Sequence, residues 1–259
     1  MIINNPRTGI RMHCNDTGGS GVPVVLVHGL SGNYTRWAPV EAILSGKRRV
    51  IDYDLRGHGL TDKGPDLDCG FDSHVEDLAG LMDVLGVEKA VIAGHSMGGM
   101  IAQHFALKYP WRSSRLVLVA TAACLFPDRL KRFLISIFTR ILLLFPVILM
   151  SAVDRKTEGK PRELFPEKDN PALRPGPVAL VKCLRAITGM DTREKVAGLT
   201  VPSLVLSSTR DELVAPALVK DLAGRIPDAR FAEVENLSHY VPIEQPEKTA
   251  ALIDDFLSD

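Results

Sequence analysis

Short apolar runs alternate with longer stretches in which apolar residues return every three to four positions, from Val22 to the end of the 259-residue chain. Val22 to Val27 is rich in valine and ends at His28-Gly29. A run with no polar residue on either face predicts a strand buried within a parallel sheet. Arg49 to Tyr53, Ala90 to Ala93, Leu116 to Ala120 and Ser203 to Ser207 predict further strands of the same kind. Between them, Val75, Leu78, Ala79, Met82 and Leu85 follow helical spacing. Asp72 or Ser73 is placed to cap that helix and Gly86 to stop it. Met97 to Tyr109, the neighbourhood of Asp221, and Pro246 to Leu257 predict three more helices.

Strands alternating with helices imply right-handed crossovers and a mostly parallel, twisted sheet with helices on both faces, an α/β fold. The alternation lapses between Thr121 and Val196 and resumes at Val201. That layout predicts a core domain built from residues 1–120 and 197–259, with 121–196 inserted into it. The insertion holds an apolar stretch, Phe133 to Met150, and then a piece rich in proline and charge from Lys160-Pro161 to Pro177. Arg140, Ser136, Thr139 and Pro146 interrupt the apolar stretch. A central arginine is costly in a bilayer, so a buried or lid helix is expected first, contact of the cap with a membrane surface second and a membrane span last. Pro161, Pro166 and Pro171 predict an irregular segment after it.

Charge narrows the choice of partner. Lys and Arg together number 31, as do Asp and Glu, and no long run of like charge occurs. A nucleic-acid partner is therefore not expected. Cys14, Cys69, Cys124 and Cys183 are scattered without a Cys-x-x-Cys pair, and no histidine pair has ligand spacing, so no metal is expected. No glycine-rich phosphate loop follows the first strand, so no nucleotide cofactor is expected either. The first residues, Met1 to Pro6, lack a basic region followed by an apolar one, which fits reduced thiols and a cytoplasmic location.

The chemistry is carried by Gly94-His95-Ser96-Met97-Gly98, with Gly99 following, between a predicted strand and a predicted helix. G-x-S-x-G in that setting puts a serine on a tight turn, exposed beside a helix N-terminus. A serine hydroxyl is a weak nucleophile and needs a base, and the base needs an orienting acid. Of seven histidines, only His239 lies well beyond the helix that Ser96 begins. It occupies a loop, Asn236-Leu237-Ser238-His239-Tyr240, ahead of the last helix. Asp211 follows the Ser203–Ser207 strand, at the end where parallel sheets gather their functional groups. Glu212 and Asp128 are its rivals. The oxyanion needs two amide donors: Met97 supplies one, and Leu30 in His28-Gly29-Leu30-Ser31-Gly32, or a neighbour, the other.

These residues resemble the α/β-hydrolase superfamily along nearly the whole chain. His28-Gly29 is similar to its oxyanion loop. Asp54-Leu55-Arg56-Gly57-His58-Gly59 is similar to its D-x-R-G-x-G turn, a structural signature. Gly94 to Gly98 matches its nucleophile elbow, and His239 before Gln245-Pro246-Glu247 its histidine loop. Ser208 and Ser238 stand where many members have glycine. The resemblance implies a cofactor-free serine carboxylesterase that passes through an acyl-enzyme on Ser96 and acts on a small-molecule ester. It implies that residues 121–196 form a helical cap. Phe133, Ile137 and Phe138 are then expected to wall an apolar pocket, and His28 and His95 to touch substrate. Lactone hydrolysis, carbon–carbon bond hydrolysis and perhydrolase or haloperoxidase chemistry share the same residues, and a non-catalytic receptor or scaffold shares the fold. Aspartate in place of Ser96 would have been expected of epoxide hydrolases and haloalkane dehalogenases.

Overall fold

The computed structural model describes residues 1–64, 66–156, 158, 165–235 and 238–259, without the Lys156 side chain. The predicted Lys160-Pro161 start of the proline-rich piece and Asn236-Leu237 of the histidine loop lie outside the described residues. Eight strands form one sheet. They are β1 (Ile2–Asn4), β2 (Arg11–Asp16), β3 (Val24–Val27), β4 (Val50–Tyr53), β5 (Ala90–His95), β6 (Ser113–Val119), β7 (Ser203–Ser208) and β8 (Ala229–Val234). Their spatial order is β1-β2-β4-β3-β5-β6-β7-β8. β1 and β2 run antiparallel to their neighbours and all other pairs are parallel.

Alternation along the central strands sends side chains to two cores. Val25 and Val27 of β3, Ile92 of β5 and Val205 of β7 pack under α2 (Phe71–Val84), α3 (Met97–Lys108) and α7 (Pro216–Arg225), meeting Leu78, Ile101, Phe105 and Leu222. Val24 and Leu26, with Val91 and Val117, pack on the other face against α1 (Ala38–Leu44) and α9 (Pro246–Ser258) through Val40, Leu44, Ile253 and Phe256. Each such side chain contributes about 1.5–3 kcal/mol by leaving water. The short α8 (Val241–Glu244) leads into α9.

The five predicted strands are present. The β1–β2 hairpin, β8 and α1 were not expected from the sequence. β8 is an edge strand whose residues are mostly exposed or half-buried, so it lacks the apolar run that marks the others. At α2 the expected cap is corrected. The helix begins at Phe71 behind Gly70, with Asp72 already in its first turn, while Asp68 accepts from the Gly70 amide (3.1 Å) and from the Ser73 hydroxyl. Gly86, at φ 63°, follows the end of that helix in the left-handed conformation open to glycine.

Between β6 and β7 lie α4 (Arg129–Leu142), α5 (Pro146–Lys156) and α6 (Pro177–Gly189), with α6 packed on both of the others. The apolar Phe133–Met150 stretch is thus two helices meeting at 110°, broken where Pro146 starts the second. No single described helix is long and apolar enough to cross a membrane. Both ends of the segment are tied to α3 by Gln103. Its amide nitrogen donates to the Ala122 carbonyl (3.3 Å) and its oxygen accepts from Thr192 Oγ1 (2.8 Å). The Thr192 amide donates to the Ala123 carbonyl (2.8 Å), closing the two ends on each other.

Candidate active site

Ser96 occupies the turn between β5 and α3 with φ 55° and ψ −119°. A side-chain-bearing residue held there costs on the order of 1–3 kcal/mol, which the surroundings must offset. The Ser96 amide donates to the Val119 carbonyl (2.9 Å), and the Ser96 carbonyl accepts from the Gly99 amide (2.9 Å) and Thr121 Oγ1 (2.8 Å). Glycine is required on either side because the chain passes so close. A Cβ on Gly94 would lie 2.2 Å from the Gly98 carbonyl oxygen, and one on Gly98 2.1 Å from that of Val27. Met97 is the first residue of α3, where amides have no partner within the helix.

The histidine loop brings His239 against Asp211, with Nδ1 and Oδ2 2.7 Å apart. The other carboxylate oxygen of Asp211 accepts from the amides of Leu213 and Val214, each at 2.8 Å. Burial works to raise the Asp211 pKa, but the bond and charge of His239 and these two amides outweigh it and hold the carboxyl below its ordinary value. A carboxylate at Nδ1 fixes the proton there and leaves Nε2 as the basic nitrogen. Of the two rivals, Glu212 is exposed, and Asp128 caps α4 by accepting from the Lys131 amide (2.7 Å). Ser238 steadies the loop through its amide, which donates to Glu244 (2.9 Å), and its hydroxyl, which donates to the same carboxylate.

His28 is not where the sequence suggested. It is buried beneath the loop and does not line the cavity described below. Its Nδ1 donates to the Gly29 carbonyl (2.8 Å) and its Nε2 accepts from the Leu55 amide (3.0 Å). His58 does the same on the other side: Nδ1 to the Arg56 carbonyl (3.0 Å), and Nε2 accepting from the amide of Ser31 (3.3 Å). Burial pushes His28 down to about 4 and His58 to about 3, so both are neutral and each can donate and accept at once. Two neutral imidazoles thereby brace Gly29-Leu30-Ser31-Gly32 on the D-x-R-G-x-G turn, with Ser31 held at φ 62°. The D-x-R-G-x-G pattern marks that turn as structural, and nothing in it singles out His58 as a brace.

One cavity of about 380 Å³ gathers Ser96, His239, His95, Leu30 and the neighbouring loop glycines. Met100, Leu125, Phe126, Leu184, Ile187 and Val214 make its wall apolar, and Leu149, Ala152 and Val153 of α5 close one side. The sequence expectation for Phe133, Ile137 and Phe138 is corrected: they are 61%, 41% and 56% exposed and do not line this cavity. The apolar stripe of α4 faces away from the body, and α5 and α6 supply the wall instead. Arg36, unforeseen in the sequence, also lines the cavity. It is buried, ion-paired with Glu167, and its guanidinium lies 4.3 Å from the centre of the Phe165 ring. Burial lowers its pKa against the pull of Glu167. Among the described residues no group of three or more His, Cys, Asp or Glu side chains is arranged to hold a metal ion.

This sheet order, with a serine strained at the end of its fifth strand, defines an α/β hydrolase. A model of the alpha/beta hydrolase family matches residues 24–252, and the chain belongs to that family. It is 28% identical to 2-hydroxymuconate semialdehyde hydrolase of Pseudomonas sp. (strain CF600), over 97% of this chain and 92% of that one. Among solved structures it is similar to the enol-lactonase from Burkholderia xenovorans LB400 (28% identity, TM-score 0.81, all of both chains). It is also similar to a thermophilic esterase from Thermogutta terrifontis (29% identity, TM-score 0.85, all of this chain and 97% of that one). The relatives are hydrolases with different substrates.

Proposed function

We propose that this hydrolase is a serine carboxylesterase that cleaves neutral esters with apolar acyl or alcohol groups. The observation that carries the reading is one cavity holding both the strained Ser96 and the Asp211-oriented His239, under an apolar wall. His239 Nε2 takes the Ser96 proton as Oγ attacks the ester carbonyl. The amides of Met97 and Leu30 hold the oxyanion. The alcohol leaves with the proton from His239, and water activated by the same nitrogen frees the acid. Residues 121–196 act as the cap, and no cofactor enters.

Arg36 bears on the choice of substrate. It is ion-paired with Glu167, which favours a neutral substrate over one that bears a carboxylate. Lactone hydrolysis is the second reading, favoured by the likeness to an enol-lactonase. All four cysteines are free and buried, which supports a reducing, cytoplasmic setting.

The test is hydrolysis of p-nitrophenyl esters from acetate to palmitate by the wild type and by Ser96→Ala. Turnover that peaks at an intermediate chain length and disappears in the variant is the expected result. A folded wild type that is silent across this series but opens lactones would move the assignment to the second reading. Turnover that survives Ser96→Ala would overturn the mechanism.

A further inference from the structure

The outward stripe of α4 consists of Leu130, Phe133, Leu134, Ile137, Phe138 and Ile141, all exposed. Leu144 and Phe145 at the bend, and Val147 and Ile148 at the start of α5, continue it, Leu144 being 72% exposed. Folding normally turns such a stripe inward. Here the inward side of α4 carries Arg132, Ser136 and buried Thr139, along with Ile135 and buried Leu142. A contiguous apolar surface of this kind marks a contact site rather than ordinary exposed side chains.

The charges beside it identify the occupant. From Arg129 to Val153 the chain has four basic residues and no acidic one, although the whole protein balances 31 against 31. At 3.6 residues per turn, Lys131 falls at one edge of the apolar stripe and Arg129 and Arg140 at the other. All three are exposed. An apolar face flanked by long basic side chains suits the boundary between the acyl chains and headgroups of an anionic bilayer. A second copy of this chain would instead set the basic edges against each other. We infer that α4 and the start of α5 dock on an anionic lipid surface, the apolar stripe entering the acyl boundary and Arg129, Lys131 and Arg140 meeting the headgroups. Because α5 also walls the cavity, docking brings that wall to the membrane. The inference is independent of which bond the cavity cleaves.

Sedimentation of the full chain with phosphatidylcholine vesicles, with and without phosphatidylglycerol, tests it. We expect binding to the anionic vesicles that weakens as salt rises. The Arg129→Gln/Lys131→Gln/Arg140→Gln variant should bind about a hundredfold more weakly, at about 1 kcal/mol for each basic residue. The Phe133→Ser/Phe138→Ser variant should lose at least about tenfold. Circular dichroism and thermal melting of each variant establish that it is folded. A monomeric wild type that stays in the supernatant with anionic vesicles overturns the proposal. So does a wild-type dimer that Phe133→Ser/Phe138→Ser dissociates in the absence of lipid, which would make a second copy the occupant.

Discussion

His95 Nε2 donates to the main-chain carbonyl of His239 at 2.8 Å, so the residue just before Ser96 holds the loop of the proposed base. The two rings are 4.8 Å apart. Burial first, and the neighbouring His239 second, push the His95 pKa down to about 3, so His95 is a neutral donor across the working pH range. It positions His239 through the backbone while Asp211 orients the ring.

Replacing His95 with phenylalanine keeps the volume and removes that donor. We expect kcat to fall by about tenfold to a hundredfold, with KM changed by less than about threefold, because small displacements of a base cost rate rather than binding. Gln, which also donates from its side chain, should recover part of the loss. Steady-state kinetics on one ester checks both, and equal loss in Phe and Gln variants would leave His95 a packing residue only.

Asp211→Asn should lower kcat on the order of 10⁴-fold by removing the carboxylate that fixes the His239 tautomer. Glu212→Gln, at an exposed neighbour, should stay within about twofold of the wild type. Comparison of kcat for the two variants decides between the adjacent carboxylates.

Glu167→Gln removes one carboxylate from the Arg36 guanidinium at the cavity. The ratio of kcat/KM for mono-p-nitrophenyl succinate to that for p-nitrophenyl butyrate should rise by about tenfold, since a substrate carboxylate then takes the place of Glu167. The variant should also melt earlier, because breaking a buried ion pair costs about 3–5 kcal/mol. An unchanged ratio would show that Arg36 does not meet the substrate.

Asp52 on β4 is buried; its Oδ1 accepts from Asn15 Nδ2 (2.9 Å). Burial, and then the neighbouring Glu41 carboxyl group, raise its pKa from 3.8 to about 9. The folded protein therefore keeps a proton that the unfolded chain releases above its ordinary pKa. Stability from this group is full below pH 3.8 and is lost as pH rises towards about 9. Asp52→Asn keeps the acceptor and has no proton to lose. We expect wild type and variant to melt together near pH 4 and the variant to melt higher by several degrees at pH 8, at about 2–4 °C per kcal/mol. Melting curves across that range check the sign.

What the sequence determined was local or periodic. The valine-rich runs determined the central strands, since a strand with two buried faces favours an apolar run. Gly94-His95-Ser96-Met97-Gly98 determined the turn, because only glycine fits where backbone passes within contact of backbone. Chain order singled out His239 among the histidines. The tertiary structure decided what depends on which surfaces meet. It put Asp211 rather than Glu212 on His239, since adjacent residues in a loop differ only in where they point. It showed His28 and His58 as braces, because a histidine between two backbone groups looks no different in sequence from one facing substrate. It brought Arg36 and Glu167, distant in sequence, to the cavity. It also turned the Phe133, Ile137 and Phe138 stripe outward. Periodicity reports that a helix has an apolar side, and only packing decides whether that side meets the protein's own core or something else.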